Sequence, residues 1–288
     1  MTDVRRLLSD AERTLAGVGI ANARAEVGWL LADVLEATPG ASILRMTVDA
    51  DQQRRFAVAL ERRRSREPLQ HILGRAAFRY LDLRVGPGVF VPRPETERLV
   101  DVTLAGIASL RDPAVVDLCS GSGAIGLAIA TERPDAKVAL VERSAAALEW
   151  LHRNVADQPT VVQDRVQVFQ ADVTSVGDRT ALVSELAPAD AVVANPPYVP
   201  TATRVGPEVA HDPDEAVYGG ADGLDLYPSL AELATALLRP SGLLALEHDE
   251  THGPALADYL SGKGWRDVAD VQDLAGRSRF VTARRAST

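Results

Sequence analysis

Beyond Pro94 the chain alternates short apolar runs with helical stretches, and this alternation restricts the fold more than any other feature. The runs Ala114–Leu118, Lys137–Glu142, Val166–Gln170, Ala189–Ala194 and 243–247 are short and mostly apolar, rich in Val, Leu and Ala. Such runs, alternating with helices, predict strands of a largely parallel sheet. Weaker strands are expected near 267–271 and 280–283, and helices at 95–109, 124–132, 144–155, 228–238 and 253–262. The pattern predicts an α/β domain with a doubly wound, mostly parallel sheet.

Upstream the periodicity is different. Val4, Leu7, Leu8, Ala11, Leu15 and Ala16 share one helical face. A second helix is expected through Val27, Leu30, Leu31 and Leu35, and a third from about Ala50 to Arg66. Residues 1–75 therefore read as a small helical bundle. The run Arg62-Arg63-Arg64-Ser65-Arg66 reads as a solvated helix end favoured by the C-terminal dipole, with an acidic-partner patch as the alternative. Between the two regions, apolar residues at 78–85 and 89–91 flank Gly86-Pro87-Gly88. They predict a β-hairpin turning at those glycines, a connector over 76–92. The remainder, 93–288, is the α/β domain.

Charge narrows the partners. Residues 1–80 carry 13 arginines against 10 acids, whereas residues 81–288 carry 18 basic against 30 acidic groups. A net-acidic catalytic half is a poor non-specific binder of a phosphate backbone, so a direct nucleic-acid substrate is not expected. With Cys119 as the single cysteine, neither a disulfide framework nor a cysteine-rich zinc site can form, and no metal site is read from the sequence. A reducing, cytoplasmic setting is expected. No apolar run reaches a membrane span, and Met1-Thr2-Asp3-Val4-Arg5-Arg6 does not begin a signal peptide.

The candidate site lies at the strand ends. After the first strand comes Asp117-Leu118-Cys119-Ser120-Gly121-Ser122-Gly123-Ala124-Ile125-Gly126. Its glycines permit a tight turn and close approach of a ligand to the backbone. The spacing Gly-x-Gly-x-x-Gly also occurs in nicotinamide-binding proteins, so a dehydrogenase stays open on this motif alone. Glu142 ends the second strand, where a carboxylate would accept both hydroxyls of a ribose. Asp172 follows the third, placed to accept from an adenine amino group. The fourth strand runs into Asn195-Pro196-Pro197-Tyr198. Two prolines fix φ and remove backbone donors, which makes a stiff loop. The Asn195 side-chain oxygen and the Pro196 carbonyl can each accept one N–H of a planar NH2 group, and Tyr198 offers a face for it to lie on.

The order glycine loop, acid, acid, Asn-Pro-Pro-Tyr resembles the class I, Rossmann-like S-adenosylmethionine-dependent methyltransferases that modify amide or exocyclic nitrogens. The flanks Pro68-Leu69-Gln70-His71-Ile72-Leu73-Gly74, Val91-Pro92-Arg93-Pro94-Glu95-Thr96-Glu97, Gly219-Gly220-Ala221-Asp222-Gly223-Leu224 and Asp273-Leu274-Ala275-Gly276-Arg277 are similar to the peptide chain release factor N5-glutamine methyltransferases. The resemblance covers nearly the whole chain. It implies that Cys119, Ser120, Gly121, Ser122, Gly123, Glu142, Asp172, Val173 and Asn195 contact S-adenosyl-L-methionine. It also implies that Asn195, Pro196, Pro197 and Tyr198 grip the glutamine of a release factor's Gly-Gly-Gln loop. Since every candidate cofactor residue lies beyond position 90 and residues 1–75 differ in pattern and charge, that region is expected to recognise the partner. The sequence departs from the family pattern at Cys119, where glycine is usual, and at Val173, where an aromatic is sometimes found. His211-Asp212-Pro213 replaces a Glu-Pro form, and His211 reads as a satisfied loop histidine.

A primary amide nitrogen is a poor nucleophile, and no histidine or lysine neighbours the Asn-Pro-Pro-Tyr loop in sequence. Orientation by Asn195, Pro196 and Tyr198 is thus the expected source of catalysis. The strand-end cluster Glu247-His248-Asp249 reads as caps or solvated groups in preference to a general base. The alternatives are methylation of an exocyclic base nitrogen in RNA or DNA, or of a glutamine in a ribosomal protein.

Overall fold

A computed structural model describes residues 4–40, 44 and 46–287. The opening Met1-Thr2-Asp3 lies outside the described residues. The chain divides into two compact units, Met1–Arg75 with Val205–His211, and Ala76–Arg204 with Asp212–Thr288.

The first unit is helical: α1 (Val4–Gly17), α2 (Ala23–Val34), α3 (Ala50–Arg64) and α4 (Leu69–Leu73). Its core is Leu15, Val27, Leu30, Leu31 and Phe56, each at most 1% exposed. Asp49 starts α3 with a capping box, accepting from Gln52 N while the Gln52 side chain accepts from Asp49 N. The arginine run at the end of α3 is not simply solvated. Arg63 is buried and bonds Glu26 and Glu208, Arg66 pairs with Glu208, Arg62 with Glu67, and Arg64 with Glu61. Glu208 belongs to the segment Val205–His211, far along the chain, which no local pattern in the sequence links to α3.

The second unit opens with a hairpin of β1 (Arg75–Phe78) and β2 (Leu81–Arg84). Its turn falls at Arg79-Tyr80 and not at Gly86-Pro87-Gly88. Arg79 takes φ +51° there, with its guanidinium on Asp101 and Glu132 and its N–H on Glu97. Gly86 serves packing instead: a Cβ on it would lie 2.5 Å from the Trp150 ring. Val89–Val91 form no strand.

Next come α5 (Glu97–Gly106), β3 (Ala114–Leu118), α6 (Ala124–Glu132), β4 (Lys137–Glu142), α7 (Ala145–Ala156), α8 (Thr160–Gln163) and β5 (Val166–Gln170). They are followed by α9 (Val176–Leu186), β6 (Ala189–Ala194), α10 (Asp214–Val217), α11 (Tyr227–Leu237) and β7 (Leu238–Glu247). The unit closes with α12 (Gly253–Gly262), β8 (Arg266–Gln272) and β9 (Ser278–Arg284). The seven-stranded sheet has the order β5-β4-β3-β6-β7-β9-β8, parallel from β5 to β7, with β9 antiparallel to both β7 and β8. Helices cover both faces, which is why β6 is buried at all six residues. The chain winds outward from β3 through β4 to β5, then returns to place β6 on the other side of β3. That reversal is the switch point of a doubly wound sheet, the place where such folds bind their ligands.

Candidate active site

The loop after β3 coils tightly. Cys119, Gly121 and Gly123 have φ +58°, +55° and +85°. Cys119 thus occupies the left-handed region that favours glycine, and its thiol pKa is raised, chiefly by burial. A Cβ on Gly123 would sit 2.5 Å from Leu151 of α7, and one on Gly126 would sit 2.1 Å from Leu140 of β4. Both glycines let α6 lie directly against its neighbours, while a Cβ on Gly121 would meet nothing within 4 Å. Asp117 is fully buried, and its Oδ2 accepts from Gly126 N at 2.9 Å, tying the first turn of α6 to β3. Burial pushes its carboxyl up to about 8.

The side chain of Ser120 is already engaged: its hydroxyl donates to Asp117 O and accepts from Val141 N, splicing β3 to β4. Asn154 of α7, which the sequence did not single out, donates to Ser122 O and to Arg84 O. It is a lone amide on an amphipathic helix and carries no signal in the sequence. Glu142 accepts from Gly121 N at 2.9 Å and from Arg143 N and Ser144 N at 2.8 Å, so it ties the glycine loop to the end of β4. Asp172 Oδ1 accepts from the Thr174 N–H and hydroxyl, which hold its carboxyl below the ordinary range, and Oδ2 lies 3.7 Å from Arg143. Val173 is buried in the core.

The loop after β6 is braced from below. Val199 N donates to Val217 O, Gly219 N to Val199 O, and Thr201 N to Gly220 O. A Cβ on Gly219 would lie 2.4 Å from Pro197 O, and one on Gly223 would lie 2.2 Å from Tyr198 O. The glycines of Gly219–Leu224 therefore let two backbones touch, which rigidifies Asn195–Tyr198. Asn195 Nδ2 donates to Thr96 Oγ1 at 3.3 Å, and among the described residues no donor reaches its Oδ1. The amide is anchored by its NH2 with its oxygen unused. Tyr198 donates its hydroxyl to Glu247 Oε1 at 3.2 Å.

Glu247 was expected to be a cap or solvated. It is fully buried at the end of β7, and burial pushes its carboxyl up to about 7. His248 is also buried: its Nδ1 donates to Asp249 O at 2.7 Å, and burial lowers its pKa. Asp249 accepts from Thr251. Arg93 stacks 4.7 Å over Phe90 and pairs with the buried Asp212, which also accepts from Val91 N. Asp212, not the exposed His211, is thus the anchoring residue of that segment.

Because β3, β4, β5 and β6 are parallel, their C-terminal ends share one edge of the sheet. Cys119–Gly123, Glu142, Asp172, Val173 and Asn195–Tyr198 all emerge there.

This chain is 42% identical to the "Release factor glutamine methyltransferase" of Streptomyces coelicolor over 97% of each chain, and 42% identical to that of Mycolicibacterium smegmatis over 99% of each. It belongs to the release factor glutamine methyltransferase family. Family models for a PrmC N-terminal domain and a methyltransferase small domain match residues 6–74 and 82–212. The fold is shared with more distant solved methyltransferases. One from Pyrococcus furiosus has a TM-score of 0.52 at 18% identity, covering 73% of this chain and 92% of that one. The hMettl16 catalytic domain in complex with the MAT2A 3'UTR hairpin 6 has a TM-score of 0.57 at 13% identity, covering 80% and 81%. Members of this family are enzymes, and the class I methyltransferase domain of this chain makes it a methyltransferase. Among the described residues no helix is long and apolar enough to cross a membrane.

Proposed function

We propose that this enzyme transfers the methyl group of S-adenosyl-L-methionine to the side-chain amide nitrogen, N5, of the glutamine in the Gly-Gly-Gln loop of peptide chain release factors, in the cytoplasm. The observation that carries this is the anchoring of Asn195 through its NH2, which leaves Oδ1 as an acceptor on a braced loop. An acceptor pair made of Asn195 Oδ1 and Pro196 O matches the two N–H bonds of a primary amide. The similarity to the release factor glutamine methyltransferases of Streptomyces coelicolor and Mycolicibacterium smegmatis supports the same methyl acceptor.

The edge residues fit the donor. Gly121 leaves open space where a side chain would stand, Glu142 is an acceptor for ribose hydroxyls, and the ionised Asp172 is an acceptor for an adenine amino group. When bound, S-adenosylmethionine supplies an already activated sulfonium methyl, so the protein need not activate the electrophile. What this chain supplies is position. Asn195 and Pro196 hold the amide N–H bonds, and Tyr198 packs beside the amide plane. Alignment of this kind is worth on the order of 7 kcal/mol of the barrier. The two oxygens also stabilise positive charge developing on the nitrogen, and its proton leaves to solvent after transfer.

The test offers methyl-labelled S-adenosylmethionine with release factor, release factor whose Gly-Gly-Gln glutamine is replaced by alanine, ribosomal proteins and bulk RNA. Label is expected on the intact release factor alone. Label on RNA or on a ribosomal protein in preference would replace this function with one of the alternatives.

A further inference from the structure

Tyr198 is fixed at both ends. At its backbone, Tyr198 O lies so close to Gly223 that a Cβ there would stand 2.2 Å away. At its tip, the hydroxyl donates to Glu247 Oε1 at 3.2 Å. Glu247 is a rigid post for that bond. It ends β7 and pairs with Phe280 of β9, and its own carbonyl accepts from the buried Tyr227 hydroxyl at 2.7 Å. Between these anchors the phenol ring cannot swing to another rotamer without giving up its hydroxyl bond.

The same carboxyl does little for stability. Glu247 is fully buried, and its Oε2 has no hydrogen-bond partner among the described residues. A buried polar atom left without a partner is destabilising, and an apolar side chain of similar volume would avoid that cost. What the carboxyl supplies in return is an acceptor at the one point that holds the Tyr198 ring. Resting on the function proposed above, we infer that Glu247 is a positioning residue for methyl transfer: it holds the Tyr198 hydroxyl and so sets the ring beside which the substrate amide lies. A carboxyl keeps an acceptor oxygen whether ionised or protonated, so the hydroxyl is held in either state. A displaced ring would misalign the amide nitrogen with the sulfonium methyl while leaving the cofactor contacts at β3, β4 and β5 intact.

The test uses the full-length protein with release factor. Glu247→Met keeps the length of the side chain and removes both oxygens. It is expected to lower kcat by about 10-fold with unchanged affinity for S-adenosylmethionine, and Tyr198→Phe, which removes the hydroxyl alone, should match it. Glu247→Gln keeps a carbonyl acceptor and should retain most of the rate. The double variant Tyr198→Phe/Glu247→Met should be no slower than either single one, because all three lack the same bond. Its thermal midpoint should be no lower than that of the wild type, since both partners of a buried hydrogen bond are then apolar. A structural role predicts the opposite, a lowered midpoint with the rate retained. Wild-type kcat in Tyr198→Phe or in Glu247→Met would overturn the inference, and so would additive losses in the double variant or a loss in Glu247→Gln as large as in Glu247→Met. A readout that needs no substrate is the Tyr198 hydroxyl proton, identified by its absence in Tyr198→Phe: its exchange with solvent should quicken in Glu247→Met and stay slow in Glu247→Gln. If the wild-type protein left release factor unmethylated, the proposed substrate would fall; a hydroxyl exchange unchanged in Glu247→Met would separately overturn the role of Glu247.

Discussion

At the scale of single residues, the site rests on which hydrogen bonds are already made. Asn195 has spent its donor on Thr96 and kept its acceptor. Asn195→Ala should therefore lower kcat by about 100-fold while leaving S-adenosylmethionine affinity nearly unchanged. Asn195→Asp keeps an acceptor and should retain more activity than Ala, as steady-state kinetics and calorimetry on the same preparations would show. Equal rates for the two would mean that the acceptor is not what the substrate uses. Glu142 is a different case, because it already accepts from three backbone N–H groups. Glu142→Ala should weaken S-adenosylmethionine by about 1–3 kcal/mol, through the lost acceptor and a loosened glycine loop. Unchanged binding by calorimetry would remove Glu142 from the cofactor site. The sequence showed these residues because acids and an Asn-Pro-Pro-Tyr run after strands stand out from the apolar runs before them. It could not show that the Ser120 hydroxyl splices two strands, or that Glu247 is buried beneath Tyr198. Both are facts about neighbours far along the chain.

At the scale of elements, β3, β4 and β6 were legible because a strand buried on both faces reads as a nearly unbroken apolar run, whereas β5, at the sheet edge with no fully buried residue, was marked by Val166, Val168 and Phe169 on either side of Gln167. The predicted bounds of β3, β4, β5 and β6 match the structure residue for residue. α9 was not foreseen: it contains Gly177 and Thr180, and Leu182 is its buried residue, so no apolar stripe marks it. The hairpin turn was misplaced because Gly86-Pro87-Gly88 is the stronger local turn signal, whereas Arg79 is held by three acids on α5 and α6. The same logic of close approach makes Gly123 sensitive. Gly123→Ala adds a Cβ at φ +85° against Leu151, and should destabilise the protein by about 1–3 kcal/mol. Denaturant unfolding measures it, and a loss below a few tenths of a kcal/mol would show that α7 yields easily.

At the scale of the molecule, the helical unit is completed by a segment that follows the catalytic loop in sequence, Val205–His211. Arg63 is buried between Glu26 and Glu208, with Arg66 also on Glu208. Removing one member of a buried ion cluster leaves its partners without compensation. Arg63→Met should cost about 3 kcal/mol of stability, seen as a lower thermal midpoint, and an unchanged midpoint would show Glu26 and Glu208 to be solvated. We propose that this unit recognises the release factor. Its net positive charge over residues 1–80 contrasts with the acidic remainder, and every candidate cofactor residue lies beyond position 90. The joint demand on both units, recognition and orientation, is tested most directly by locating the product. Release factor incubated with the enzyme and S-adenosylmethionine is digested and sequenced by tandem mass spectrometry. The peptide carrying Gly-Gly-Gln is expected to be heavier by one methyl group, placed on the glutamine side chain, and to gain that group about 100-fold more slowly with Asn195→Ala. A methyl group on any other residue, or an unmodified peptide from the wild-type reaction, would contradict the account.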